Sequence, residues 1–330
     1  MDAPDMRRIV ILGKTGSGKS SVANNIFGED QFTVCHDSIS AKSPCEAKTQ
    51  SLNGGQTTLI DTPGFFDTNK PEESLRPEIV KCITECSPGP HAFLIVLKLE
   101  KFTELENKII EQITQYFTEE VFNFATVVFT HGDDLQEGQK IKDYVSPNVH
   151  LSELVKKCGG RCHVIDNKYW KNPSDETYRS NAHQVKEILK SVEEIVNDNN
   201  GNCYTNEMLQ MVEEMTQQEE KRLANSSENM SEEEIRQEAK SSVCDILNKA
   251  AGVTTGALLG ALFGVAVTAT VAAVAVTAGA AGIKAIGAVG AAGLAAAAET
   301  SGVAAGTAVI KAGAVGLGVG AATGAAVWST

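Results

Sequence analysis

A chain of 330 residues with a formal net charge of −13 exceeds one average domain, and its acidic balance argues against nucleic acid as the main partner, since phosphate backbones are held by basic faces. The opening Met1-Asp2-Ala3-Pro4-Asp5 lacks the charged-then-apolar order of a secretory signal, so the globular part is expected to be cytoplasmic, with its eight cysteines as reduced thiols. Cys82/Cys86 and Cys158/Cys162, with His91 and His163 nearby, do not have the short spacers common at zinc sites, and no structural zinc is expected.

The apolar run Ile9 to Leu12 reads as a buried strand that delivers the chain into Gly13-Lys14-Thr15-Gly16-Ser17-Gly18-Lys19-Ser20, a complete phosphate-binding loop. Gly13, Gly16 and Gly18 let backbone N–H groups turn inward around phosphate oxygens, where a Cβ would block the approach. A helix follows from Ser21 to Phe27, so its positive dipole end points at the same anion. Lys19 is expected at the β- and γ-phosphates and the Ser20 hydroxyl on Mg2+, with Lys14, Thr15, Ser17 and Ser21 completing the phosphate contacts.

From Asp30 to Gln50 the chain is rich in Ser, Lys, Thr and His without a sustained period, and reads as a mobile first switch loop. Ser38, Ser40 and Ser43 are its candidate hydroxyls, with Ser40 placed in the candidate set. The short strand Thr57 to Ile60 ends in Asp61-Thr62-Pro63-Gly64. Asp61 is expected to hold Mg2+ through a metal-bound water, and Gly64 to offer its N–H to the γ-phosphate. Enzymes with fast hydrolysis place a Gln after that glycine to orient water; Phe65 stands there instead, so slow intrinsic hydrolysis is expected and no catalytic residue is assigned.

Further along, the pattern gives a helix from about Pro77 to Cys86 with Ile79, Val80 and Ile83 inward, and a break at Pro88-Gly89-Pro90. An apolar strand from His91 to Leu97 comes next, then a helix capped by Thr103 with Glu106 completing a capping box. The strand Ala125 to Thr130 leads into Thr130-His131-Gly132-Asp133-Asp134-Leu135. Guanine presents two adjacent donors, N1–H and the 2-amino group, which a carboxylate accepts together; Asp133 is the candidate, with His131 able to stack on the base. A polar helical stretch (136–160) returns to a strand at Arg161 to Ile165, after which Asn167 is a candidate donor to guanine O6. An amphipathic helix from Tyr178 to Val196 closes the unit. Strand and helix alternating in this rhythm imply an α/β fold with a mainly parallel sheet and helices on both faces.

Together these residues resemble the immunity-associated nucleotide-binding protein family (GIMAP), a septin- and chloroplast-import-related branch of the GTPases, over about Arg8 to Val196. The resemblance rests on the phosphate loop, Asp61-Thr62-Pro63-Gly64-Phe65-Phe66-Asp67-Thr68, the stretch Gly89 to Leu97 continuing to Phe102-Thr103, and Thr130 to Leu135. It implies a Ras/septin-like P-loop GTPase domain that binds GTP or GDP with Mg2+, dimerises through its nucleotide face, attaches in many members to internal membranes, and serves an immune-related role. Among its members, fish-type ones with an Ala/Gly-rich tail are the most similar in layout. The family's first-switch Thr falls near Lys42, and its usual Arg before Phe102-Thr103 is Lys101, a weak candidate for a catalytic cation. Both departures bear on hydrolysis more than on binding.

This reading divides the chain into a nucleotide-binding domain (7–200), an acidic helix-prone extension (201–249) and an Ala/Gly/Val-rich tail (250–330). The extension reads as a helix folding back on the domain or reaching a partner, with Asn225 to Glu234 open to being a solvated linker. The tail has no charge until Lys284, and Gly252, Gly256, Gly260 and Gly264 line one helix face. Its leucines and valines offer about −4 kcal/mol on an insertion scale, so a lipid-embedded helix or hairpin is preferred over a packing or self-association segment in water. Two functions remain: a slow guanine-nucleotide switch assembling on a membrane, and a hydrolysis-deficient GTP-binding scaffold.

Overall fold

Ile9, Val10, Ile11 and Leu12 are each at most 1% exposed, and since successive strand side chains face opposite ways, both faces of the sheet around them are covered. The computed structural model describes residues 6–34, 44–52, 54–65, 72–100, 104–170, 177–226, 229–250 and 253–264, with short pieces at 273–275, 277–279 and 282. The strands are β1 (Met6–Leu12), β2 (Glu46–Leu52), β3 (Gly55–Asp61), β4 (Ala92–Lys98), β5 (Ala125–Thr130) and β6 (Cys162–Val164). The helices are α1 (Lys19–Phe27), α2 (Glu72–Cys86), α3 (Glu104–Tyr116), α4 (Glu119–Asn123), α5 (Ile141–Val145), α6 (Val149–Lys157), α7 (Asn181–Asp198), α8 (Glu207–Ser226), α9 (Glu232–Lys249) and α10 (Thr255–Phe263). Sheet order is β2-β3-β1-β4-β5-β6, parallel throughout except for β2, which runs antiparallel to β3. The order reverses at β1, where a crevice opens beyond the carboxyl ends of the strands.

The expected strands and most helices lie where the patterns put them; two boundaries are corrected. Part of the supposed switch loop is strand β2. Its residues Glu-Ala-Lys-Thr-Gln-Ser-Leu are an edge strand with little buried surface, so the usual apolar alternation is absent, and pairing comes from the ladder and a Thr49–Thr58 hydroxyl contact of 2.8 Å. Helix α2 starts at Glu72 rather than Pro77, with Pro77 inside it; reading Pro77 as a first helical residue placed the start too late. The side chains of Ile79, Val80 and Ile83 are fully buried, as expected. Thr103, with its proposed cap, lies outside the described residues.

The acidic extension folds back on the domain. Helices α8 and α9 pack on each other and on α2, joined by Lys240–Glu85 at 2.8 Å, Ser87 Oγ donating to Glu213 at 2.8 Å, and Arg236 bridging Glu213 and Glu220. The Ser231–Glu234 capping box starts α9, so the turn before it is structured at that point. Helix α10 then lies against α2, α3 and α8, burying Leu258, Leu259, Leu262 and Phe263. Four of the side chains counted toward membrane insertion, Leu258, Leu259, Leu262 and Phe263, are therefore core residues of the globular body, while Val265, Val267, Val271 and Val276 lie outside the described residues. Among the described residues no helix is long and apolar enough to cross a membrane. Residues 265–330 fall almost entirely outside the described chain.

An aromatic cluster seals this junction at the foot of β4 and β5. Phe93 stands 5.7 Å from Tyr204, 5.9 Å from Phe117 and 6.0 Å from Phe263, and Phe117 stands 4.5 Å from Phe263. Tyr204 donates its N–H to Pro90 O at 2.9 Å and Thr205 its hydroxyl to Pro88 O at 3.0 Å, so the chain after α7 is laced to the entry of β4. A Cβ on Gly89 would stand 1.7 Å from the Tyr204 carbonyl oxygen. Backbone cannot yield as a side chain does. Gly89→Ala is therefore expected to lower unfolding free energy by roughly 3 kcal/mol or more, read as a shifted urea midpoint; an unchanged midpoint would refute this packing.

Candidate nucleotide site

The phosphate loop leaves β1 at Gly13 and enters α1 at Gly18, the helix N-cap, whose φ of 89° is left-handed. Glycine is needed at both ends for space as well as torsion. A Cβ on Gly13 would stand 2.4 Å from Val96 O, and one on Gly18 would stand 2.7 Å from Asn167 Nδ2. Between them the Ser17 N–H donates to Lys14 O at 3.2 Å, and Thr130 Oγ1 at the end of β5 donates to Ser17 O at 2.8 Å. Lys19 is 7% exposed and its Nζ donates to Lys14 O at 3.0 Å, so its side chain spans the loop. Ser21 lies in the first turn of α1, its carbonyl accepting from Asn25 at 2.8 Å.

Lys14 is differently placed. Its ammonium turns to Glu100 at 3.0 Å, and Lys98 reaches the same carboxylate at 3.3 Å. The Tyr144 hydroxyl donates to the Glu100 carbonyl at 2.7 Å. The Lys14 side chain thus ties the loop to the end of β4, leaving its backbone as the part available to phosphate.

At the end of β3 the Asp61 carboxylate is buried, and Ser20 Oγ donates to its Oδ2 at 2.5 Å. Among the described residues its Oδ1 has no hydrogen-bond partner. Burial pushes the Asp61 pKa up, against the pull of Lys19 and Ser20. A buried carboxylate oxygen beside a serine hydroxyl is the kind of oxygen donor pair that a hard divalent cation takes. These residues therefore fit Mg2+. Gly64 is buried beside them, and Phe65 is 5% exposed, its ring packed in the core.

The base side is built by the loops after β5 and β6. Gly132 N–H donates to Ile165 O at 3.1 Å, joining them. His131 takes a left-handed conformation (φ 63°), with Nδ1 3.2 Å from Thr130 Oγ1. A Cβ on Gly132 would stand 2.6 Å from the Trp170 ring, so the indole floors this turn, with the Arg179 guanidinium 5.9 Å over it. Asp133 is exposed at the turn, next to buried Asp166. The Asn167 side chain is turned inward, Oδ1 accepting from Asn25 Nδ2 at 3.2 Å; Asn181 in turn donates to Asn25 Oδ1 at 2.8 Å. That amide braces the base loop on α1.

The fold thus brings together Gly13 to Ser21, Asp61, Gly64, His131, Asp133 and Asn167 at one end of the sheet. Ser38, Ser40, Ser43, Lys42 and Lys101 lie outside the described residues. Trp170, Glu100, Asn25, Asn181 and Asp166 carry structural work in the site that the motifs do not announce. The one available signal was Gly132: a glycine directly before the base-reading position implies a bulky neighbour.

A strand–loop–helix phosphate cradle, an acid at the end of the antiparallel-flanked β3 and a base turn after β5 define the P-loop GTPase class of α/β domain. The chain belongs to the AIG1 family, whose description matches residues 7–223. It is 30% identical over 212 residues to "Immune-associated nucleotide-binding protein 9" of Arabidopsis thaliana, covering 63% of this chain and 60% of that one. Against "GTPase IMAP family member 8" of Homo sapiens it is 31% identical over 199 residues, covering 60% and 29%. The chain therefore matches about three-fifths or less of the length of most of these relatives. Toc33 of Arabidopsis thaliana, solved in complex with GDP and Mg2+, superposes with a TM-score of 0.47 at 16% identity, covering 61% of this chain and 88% of that one.

Proposed function

We propose that this protein binds GTP and GDP with Mg2+, selects guanine through Asp133, and hydrolyses GTP slowly as a switch that self-associates in the GTP state. The observation that carries this reading is the Ser20–Asp61 pair, whose buried Oδ1 has no partner among the described residues, at the end of the sheet where Thr130 and Asn167 also meet the phosphate loop. Bound Mg2+ supplies charge neutralisation across the β- and γ-phosphates. The chain's own part is positional: loop N–H groups and Lys19 hold the phosphates, Ser20 and Asp61 hold the cation, and Asp133 accepts the two guanine donors. The O6 donor in this reading is an N–H of Asn167, from its backbone or its side-chain amide, whose Oδ1 is held by Asn25.

Self-association through the nucleotide face and an immune-related role are what family membership supports. Attachment to an intracellular membrane then falls to residues 265–330, since α10 is used in packing; release of full-length protein by carbonate would overturn it. Competition binding tests the core of the reading. GTP and GDP are expected to displace a labelled guanine nucleotide, ATP to fail, and Asp133→Asn to abolish that preference at a cost on the order of a few kcal/mol. Equal displacement by ATP would sink it.

The buried ring of Phe65 specifically favours the second reading, a scaffold that binds GTP without turnover, because no polar group at that position holds water. Single-turnover hydrolysis across a range of protein concentrations separates the two. A rate that rises with concentration supports the switch; no product at any concentration supports the scaffold.

A further inference from the structure

Gly132, one residue before the base-reading position, is not in the left-handed region, so torsion does not call for a glycine there. Space does. A Cβ on it would stand 2.6 Å from Cη2, 2.8 Å from Cζ3 and 3.0 Å from Cζ2 of Trp170, so the backbone of the turn lies directly on the far ring of the indole. Trp170 is 8% exposed, and its carbonyl accepts the Asn181 N–H at 3.0 Å. Buried Asp166 brings it round: the Asp166 Oδ1 accepts the N–H of Lys168 at 2.9 Å and that of Tyr169, which turns the chain after β6 back toward Gly132. Arg179 ties the two loops together. Its guanidinium stands 5.9 Å from the centre of the Trp170 ring and donates to the carbonyls of Leu135 and Gln136, each at 2.6 Å.

The turn held in this way is strained. His131 has φ 63° and ψ 49°, a left-handed conformation that a residue with a Cβ keeps only where its surroundings over-determine it. Part of that support is internal: Asp134 N–H donates to His131 O at 3.1 Å and Leu135 N–H to Gly132 O at 3.2 Å, while Gly132 N–H reaches Ile165 O at 3.1 Å. The indole under Gly132 and the guanidinium on the carbonyls that follow add the rest. Asp133 itself is exposed, so the place of its carboxylate depends on the backbone that carries it.

We propose that Trp170 determines base specificity as a positioning residue: acting through Gly132, it holds the Asp133 carboxylate at the angle from which it accepts N1–H and the 2-amino group of guanine together. The proposal rests on the reading of Asp133 as the base-selecting residue. Two parallel N–H···O bonds need the carboxylate in the plane of the base, whereas a single one tolerates a tilt. A turn that relaxes away from its strained form therefore loses the second bond first. The loss falls on guanine recognition, because the phosphates are held separately by the loop from Gly13 to Ser20.

Affinities of the full chain for GDP, for inosine diphosphate, which lacks the 2-amino group, and for ADP, which lacks both donors, are compared between wild type and Trp170→Phe. Phenylalanine keeps an aromatic ring in the core but is too short to place carbons where Cη2 and Cζ3 meet Gly132. The ratio of GDP to inosine diphosphate affinity is expected to fall by about tenfold in the variant, the worth of one hydrogen bond to a charged group, with ADP unchanged. Gly132→Ala forces the same two surfaces apart, should lower the ratio in the same way, and serves if Trp170→Phe does not fold. Were Trp170 only a stabilising core residue, all three nucleotides would shift by one factor or not at all; an unchanged ratio in a folded variant therefore overturns the proposal. An Asp133→Asn protein that keeps the wild-type ratio would instead overturn the underlying reading of Asp133, so the two failures are told apart.

Discussion

Phe263→Ala is expected to lower the unfolding free energy of the full chain by about 3–5 kcal/mol, as a fully buried aromatic truncated to a methyl does. Its ring has no exposed surface and stands 4.5 Å from Phe117 and 6.0 Å from Phe93, at the point where α10, α3 and the foot of β4 meet. The surrounding rings cannot collapse freely into the gap, since Phe93 is also held against Tyr204 at 5.7 Å and Phe117 against Phe122 at 5.3 Å. Chemical denaturation in aqueous buffer without lipid is the measurement. If α10 were a membrane element rather than a core helix, the variant would unfold with the wild-type midpoint, and the packing described for Leu258, Leu259, Leu262 and Phe263 would be wrong.

Asp61→Asn is expected to split stability from binding. Burial raises the Asp61 pKa above the ordinary carboxylate range, so folding without nucleotide disfavours the charged form of this group relative to the unfolded chain. A raised acid contributes stability that is complete below its unfolded pKa and is lost as pH rises through its folded pKa; at neutral pH the ionised, half-partnered carboxylate is therefore a cost. Asparagine keeps the shape and removes the charge. The variant without nucleotide should unfold at equal or higher denaturant than wild type at pH 7, the difference vanishing toward acid. Its affinity for GTP in the presence of Mg2+ should fall by roughly 100-fold, in line with the 1.5–3 kcal/mol typical of interactions with charged groups. An unchanged Mg2+ dependence of binding would remove Asp61 from the metal site.

Much of the nucleotide site was legible because its chemistry is local. Gly13 to Ser20 form one continuous loop, and Asp61 and Asp133 each follow a strand whose apolar run announces itself, so strand, turn and polar tip are read from neighbours in the chain. Lys14 shows where this ends. In sequence it belongs with the phosphate loop, yet its ammonium is claimed by Glu100 at 3.0 Å, a partner 86 residues away that only the β1–β4 pairing brings near. Strand β2 escaped detection for a different reason: an edge strand with polar residues on both faces has no hydrophobic period to see.

By itself, then, the order of amino acids determined the alternating strands and helices, the phosphate cradle and the acidic tips that follow β3 and β5, because torsional preference and side-chain period act between near neighbours. Where Leu258 to Phe263 go was decided only in three dimensions. Apolarity states that these side chains leave water, but a lipid bilayer and the gap between α2, α3 and α8 satisfy it equally; the aromatic cluster around Phe93 supplies the surface that chooses.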